Sequence, residues 1–391
     1  MVTRRLLGTV AAIAGLGLAA AEACTTLQYR DADGGVYLGR TLELQMELPY
    51  QVVFVPKGAP FSSQTEGHPA VEFTTTLATV AIVMPDRVPT ADAPLGPGDL
   101  KPLEGMNEAG LTFSLLAFPS VGTAQDQADS TRAVLSAIDL GSWALGQFAT
   151  VAEVREALAQ QEVLLEPLAM LGGEAPPVHF VLHDRTGASI VIEFEDGTPT
   201  IHDNPVGVMT NGPQFQWHLT NLANYTFLSN EDRSEATFGS LDVRQPDSGI
   251  ATAGLPASNT SVGRFVRAVY YSQFAEAAAT PDAAVSTLAT IMNNFDRPRG
   301  ITIDPAGGGE GDAIARLGPS DAAYSTEYTS WTSLSDMERG LFFVRTYAGM
   351  NFQMLDLNAL QQGADGVRVM PLAELGLGAA DATETLLAAT P

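Results

Sequence analysis

The sequence predicts an α+β domain, single and compact, behind a short export leader. Three observations carry this expectation. Short runs with two-residue alternation recur along the chain, among them Val178–His183 and Ser189–Glu195 about a turn at Asp184–Gly187, and that period belongs to strands. Amphipathic stretches with recognisable helix starts lie among them, at Thr150–Glu153 and at Thr280–Pro281. No repeat, heptad run or low-complexity linker divides the 391 residues, and 45% hydrophobic content is enough for one sizeable core.

Residues 1–23 read as the leader. Arg4 and Arg5 make a basic start, Leu6 to Ala20 is an apolar run of 15 residues, and Ala21-Glu22-Ala23 places small residues at −3 and −1 of a cleavage point. The run is shorter than the ~20 residues a membrane-spanning helix needs, so no lasting membrane anchor is expected. Thr3-Arg4-Arg5-Leu6 also resembles a twin-arginine export signal. Either route delivers the mature protein to the periplasm or beyond the cell. Forty-five Asp and Glu stand against 20 Lys and Arg, a net charge of −25, and no basic stripe exists to neutralise phosphates, which argues against a nucleic-acid partner.

Directly after the leader stands Cys24, the only cysteine in the chain, so this residue cannot staple the fold to itself. A mid-chain cysteine would read as a small buried hydrophobe. A cut after Ala23 makes Cys24 the first residue instead, with its thiol beside a free α-amine. Such an amine, of ordinary pKa ~7.7–8.0, can take the thiol proton near neutral pH and leave the reactive thiolate. Acylation of the thiol, which would make a lipid-anchored binding protein, is the competing outcome. That processing favours Leu at −3 and a small residue at −2, where this chain has Ala21 and Glu22.

Thr25 to Arg30 and Val36 to Leu44 read as a hairpin about Asp31-Ala32-Asp33-Gly34-Gly35, with Asp33-Gly34 as a two-residue turn. That turn pairs Cys24 with Glu43, which would orient the new amine. It gives Arg40 the opposite parity, so that only a bulge would bring Arg40 to the face of Cys24.

At these positions the chain resembles the choloylglycine hydrolases, the family of bile salt hydrolases and penicillin V acylases. Arg40 and Glu43 follow Cys24 by 16 and 19 residues in Gly39-Arg40-Thr41-Leu42-Glu43, where the family has Arg and Asp after its N-terminal Cys. The Glu for Asp exchange allows a second expectation, a catalytically impaired member. Gln51 to Gly58 resembles an early buried strand of the family, and Glu104-Gly105-Met106-Asn107-Glu108-Ala109-Gly110-Leu111 resembles its D-G-x-N-E-K-G-L turn. Phe118-Pro119 matches its x-F-P, which puts Ala117 where the family uses a backbone N–H in the oxyanion hole. Asn204 to Phe215 resembles N-x-x-G-V-x-T-N-x-P-x-F, and the resemblance makes Asn211 the second oxyanion donor. Gly254-Leu255-Pro256 and Ser261 to Ala268 carry Arg264, 53 residues beyond Asn211, to the position of the family's active-site arginine. Arg267 reads as a surface charge.

Between these motifs a helix is expected from Asp129-Ser130 towards Phe148, a second from Thr150 through Gln160 and a third from Thr280 through Asn294. Trp217, Leu219 and Leu222 are expected to pack. Glu327 to Ser333 and Leu341 to Tyr347 are expected to close the sheet. His179 and His183, four apart on a strand, are ~13 Å apart and too distant for one metal ion. No metal and no cofactor are expected.

The Ala/Gly-rich composition after Leu375 leads us to expect a poorly ordered tail at 376–391. The resemblance implies a four-layer αββα sandwich over residues 24–375 and a homo-oligomer, the family's tetramer. It also implies hydrolysis of a small acyl amide: penicillin V, an N-acyl homoserine lactone or a conjugated bile acid. Ala117 stands where relatives have Asn or Tyr, which points to the acylase kind.

Overall fold

The computed structural model describes residues 23–45, 47–87, 92, 95–118, 128–167, 175–195, 198–305 and 324–376. The leader up to residue 22, Pro119 and the tail from residue 377 lie outside the described residues.

The chain opens with the expected hairpin of β1 (Ala23–Arg30) and β2 (Val36–Leu44). Its turn is longer than the two-residue turn read from Asp33-Gly34. Arg30 pairs with Val36, leaving Asp31 to Gly35 as the loop. Asp31 builds that loop by accepting from the amides of Asp33 at 3.0 Å and Gly35 at 2.7 Å, while Gly34 takes a φ of +89°. The extra loop residue shifts the register by one. Cys24 therefore faces Leu42, Ala23 faces Glu43 and Thr26 faces Arg40. This corrects both sequence expectations for the hairpin. Arg40 shares the face of Cys24 without a bulge, because residues two apart share a face, and Glu43 lies on the other face.

A second sheet follows from β3 (Gln51–Val55), β4 (Thr79–Pro85), β5 (Leu100–Asn107), β6 (Thr112–Ala117), β7 (Val178–His183), β8 (Ser189–Glu195) and β9 (Thr198–Asp203). The first sheet is completed by β10 (Val208–Met209), β11 (Tyr328–Asp336), β12 (Leu341–Thr346) and β13 (Gln353–Asp356), and β14 (Arg368–Pro371) adds to the second. The orders are β10-β1-β2-β11-β12-β13 and β9-β8-β7-β6-β5-β4-β3-β14. The strands expected to close the sheet thus run inside it, with β13 at the edge.

Among the described residues, six α-helices carry the outer layers: α1 (Leu140–Gln147), α2 (Val151–Leu158), α3 (Phe215–Asn221), α4 (Ser261–Phe274), α5 (Pro281–Met292) and α6 (Leu357–Gly363). α4 lies on β1 and α5 on β2 and β11, while α1 lies on β5 and β6. One apolar cluster joins Leu27, Leu38, Phe265, Leu288 and Met292 to the inner face of the second sheet, and another joins Phe113 and Phe180 to Leu140, Trp143 and Val154. Helices, sheet, sheet and helices make the four-layer αββα sandwich.

The capping box opens α2 as expected, with the Thr150 hydroxyl accepting from the Glu153 amide and Pro281 leading α5. The helix expected from Asp129 begins later, at Leu140. Asp129 closes a turn of its own onto the Thr131 amide at 2.9 Å, and Leu135–Ser136 pairs with Val163–Leu164 before the helix can start. Trp217 is 45% exposed, against the expected packing, whereas Leu219 and Leu222 do lean on the core.

Asn107 and Gly110 form the β5–β6 turn, with Asn107 Oδ1 accepting from the amides of Ala109 and Leu111, each at 3.0 Å, and Gly110 at a φ of +81°. In the same motif Gly105 serves close packing. A Cβ there would lie 2.8 Å from the Ala81 Cβ and 2.9 Å from the Val80 carbonyl oxygen, and neither can swing away. Gly105→Ala is expected to destabilise the fold by ~1–3 kcal/mol, read as a lower urea midpoint at unchanged m-value.

Candidate active site

β2 is buried at all nine positions although it carries Arg40, Thr41 and Glu43. A charged strand inside a core needs partners, and these define the site.

On one face Arg40 is fully buried. Its guanidinium donates to the carbonyls of Leu103 and Leu115, lies 3.3 Å from the Glu104 carboxylate and 3.7 Å from the Cys24 sulfur, and sits 4.9 Å over the Trp331 ring. Glu104 also accepts from the Ser114 hydroxyl at 2.5 Å. The second sheet thus holds Arg40 from below, and Arg40 meets the thiol from the side.

The Cys24 nitrogen is the amide joining it to Ala23, and it stands where the α-amine of a cut chain would be. It donates to Asn211 Oδ1 at 2.8 Å, across 187 residues of sequence. Arg264, buried in the first turn of α4, donates to the same oxygen at 2.6 Å, to the Thr25 hydroxyl at 2.8 Å and to the Cys24 carbonyl. Two donors on Oδ1 fix which way the Asn211 amide faces. Its Nδ2 donates to the Ala117 carbonyl at 2.9 Å. Ser261, at the start of α4, binds the Asn211 amide and the Thr210 hydroxyl, each at 2.9 Å. The helix that presents Arg264 therefore also anchors the asparagine.

Glu43 is buried on the opposite face, where it accepts from the Thr329 hydroxyl at 3.1 Å. Burial raises its pKa against the pull of Arg264 and Arg297. Burial also draws Arg264 down to about 10, opposed by Glu43. Arg297 pairs with Glu327 and, like Arg264, donates to the Asn259 carbonyl. Arg267, expected on the surface, is 8% exposed: it binds the carbonyls of Pro256 at 2.8 Å and Ser258 at 2.5 Å and stacks on Phe295. A loop of bare carbonyls requires donors, and no residue pattern announces that loop's geometry.

The structure thus brings Cys24, Arg40, Ala117, Asn211 and Arg264 together, with Glu43 behind the strand. Glu104, Ser114 and Ser261 were not singled out from sequence, although Glu104 and Ser261 sit inside recognised motifs. His179 and His183 were weighed only as metal ligands. His179 binds the Thr210 carbonyl, while burial takes His183 down to about 3.

Burial raises both Glu104 and Glu327 to about 7, so the unfolded chain, near 4.5, gives up these protons first. Their stabilising contribution is whole below pH ~4.5 and lost as pH rises through ~7. His183 and His218, the latter lowered by burial to about 4, act oppositely between pH ~4 and ~6.5. Above pH ~6.5 the histidine contribution fades and the glutamates outweigh it, so stability is expected to fall by on the order of 1 kcal/mol between pH 6.5 and 8. Urea midpoints across that interval check this, and Glu104→Gln should flatten the slope.

A two-sheet sandwich between helix layers, with a cysteine in its first strand and a fixed side-chain amide beside it, is the architecture of the N-terminal-nucleophile hydrolases. Residues 24–367 match the linear amide C–N hydrolases, choloylglycine hydrolase family, and the chain belongs to that family. It is a hydrolase of carbon–nitrogen bonds in linear amides. A bile salt hydrolase/transferase of Clostridium perfringens (strain 13 / Type A) is 25% identical over 347 residues, covering 88% of this chain and 94% of the relative. A crystal structure of a mutant conjugated bile acid hydrolase from Clostridium perfringens superposes with a TM-score of 0.71 at 23% identity, covering 89% of this chain and 96% of that one. Penicillin V acylase from Agrobacterium tumefaciens gives a TM-score of 0.66 at 22% identity, covering 89% and 92%. At these identities the two structures establish the fold.

Proposed function

We propose that the protein is an exported acyl-amide hydrolase in which Cys24, freed by a cut after Ala23, attacks with its own α-amine as base. The amine takes the thiol proton, and the thiolate adds to the amide carbonyl carbon. Arg40, at 3.7 Å from the sulfur, favours the thiolate. The Asn211 Nδ2–H and the Ala117 backbone N–H receive the oxyanion, and the ammonium then protonates the departing nitrogen. Water, activated by the same amine, hydrolyses the thioester. Arg264 holds Asn211 and the Cys24 carbonyl in place, and Glu43 supplies its counter-charge. The observation that carries this reading is the Asn211 amide: its oxygen meets the Cys24 nitrogen and Arg264 while its nitrogen meets Ala117. The match to the family begins at Cys24 itself.

The substrate is a small acyl amide of the acylase kind, because Ala117 leaves the pocket without a polar side chain at that position. The test is turnover of penicillin V, N-acyl homoserine lactones, glycocholate and taurocholate by the mature protein, together with its intact mass. A mass beginning at an unmodified Cys24 with turnover of an acyl amide supports the reading. Diacylglycerol on the thiol supports the lipid-anchored alternative.

Self-association is also proposed. The hairpin Glu235–Phe238 and Leu241–Arg244 is exposed along its whole length, with Phe238 70% and Leu241 62% exposed. In the size of the particle in solution, the Phe238→Ser, Leu241→Ser double substitution is expected to reduce an oligomer to monomers, with little change in Tm.

A further inference from the structure

His179 is fully buried in β7 and touches the chain neighbours of both proposed oxyanion donors. Its Nε2 lies 2.9 Å from the carbonyl of Thr210, the residue before Asn211. Its ring stacks on Phe118, the residue after Ala117, with centroids 4.8 Å apart and planes 10° from parallel. Its Nδ1 lies 3.3 Å from Glu193 Oε1, itself held by the Phe215 amide at 3.0 Å. A carbonyl only accepts, so Nε2 carries the ring hydrogen. The contact from Nδ1 to the carboxyl group then needs one hydrogen more, shared by this buried pair, and Nε2 remains a donor wherever that hydrogen sits. His218 completes the frame with its Nε2 2.9 Å from the Asn211 carbonyl.

We propose that His179, backed by Glu193, is a positioning residue that fixes the Asn211 amide and the Ala117 N–H relative to each other. The proposal rests on the amide-hydrolase reading above. A filler of the core would need no polar atoms, and an aliphatic side chain would spare the burial of a carboxyl group and an imidazole. What the imidazole adds is a hydrogen bond to one donor segment and a flat contact with the other. Oxyanion stabilisation depends on donors held in place before charge develops, and an error of about 1 Å lowers turnover by ~10²-fold.

The experiment compares wild type, His179→Phe, His179→Gln and Phe118→Leu in the mature protein. It reads kcat and KM on the amide the wild type turns over fastest, and the rate at which iodoacetamide alkylates Cys24, which needs no oxyanion site. His179→Phe keeps the stack and loses the donor. It is expected to lower kcat by ~10–10²-fold, with KM and alkylation changed less than about twofold. His179→Gln places an amide N–H towards the same carbonyl and is expected to recover most of kcat. Phe118→Leu loses only the stack and is expected to lower kcat while alkylation holds, and it decides the matter should His179→Phe not fold. Unchanged kcat in the variants, or kcat and alkylation falling together, would overturn the proposal. Wild-type protein that hydrolyses none of the amides would instead overturn the reading of the reaction.

Discussion

Replacing Cys24 with Ala is expected to lower amide turnover by ~10⁴-fold or more while the protein stays folded, because in the proposed mechanism the acyl intermediate forms on its sulfur. The side chain lost is one sulfur atom, 1% exposed in β1, and the strand ladder around it is untouched. Cys24→Ser keeps the shape but offers a far weaker acid to the same amine, so its loss should be nearly as large. An uncut chain should share the defect, since an amide nitrogen has no basic lone pair. Burst titration with a slowly deacylating substrate, combined with urea unfolding, separates lost chemistry from lost structure. An Ala variant retaining turnover within ~10²-fold of the wild type would remove Cys24 from the role of nucleophile.

Asn211→Asp is expected to lower kcat by ~10²–10³-fold while the protein still folds, with a modest loss of stability. The exchange is nearly isosteric, and Arg264, 2.6 Å from Oδ1, welcomes a carboxylate, but the second oxygen meets the Ala117 carbonyl to which Nδ2 donates at 2.9 Å, a loss of ~1–3 kcal/mol. The fold tolerates the exchange at that cost. The reaction does not, because a donor N–H becomes an acceptor and a negative charge faces the developing oxyanion. KM should move little if the amide acts mainly in the transition state. A variant with unchanged kcat and raised KM would make Asn211 a substrate-binding residue instead.

Much of the fold and site was legible from residues that have few alternatives. Asp184 to Gly187 and the Thr150 capping box declared their turn and helix start through local chemistry, and the spacing from Cys24 to Arg40 needed only counting. The hairpin register was misread for an equally local reason. Asp33-Gly34 is a good two-residue turn, but Asp31, two residues earlier, captures two amides and the Tyr37 hydroxyl and enlarges the loop. One residue of slippage exchanged the faces of Arg40 and Glu43, so a correct residue list came with an incorrect geometry. Glu104, Ser261 and His179 escaped because their roles arise between elements far apart in sequence: Glu104 is 64 residues from Arg40, Ser261 is 50 from Asn211 and His179 is 31 from Thr210. No periodicity links such pairs.

Ala23 is a rung of β1, opposite Glu43 and only 4% exposed. Once the sheet has zipped, the bond between Ala23 and Cys24 is shut away from any protease. The cut proposed after Ala23 would therefore have to be made while the first strand is still loose, and a chain that folded first would keep the Cys24 nitrogen tied up in a peptide bond.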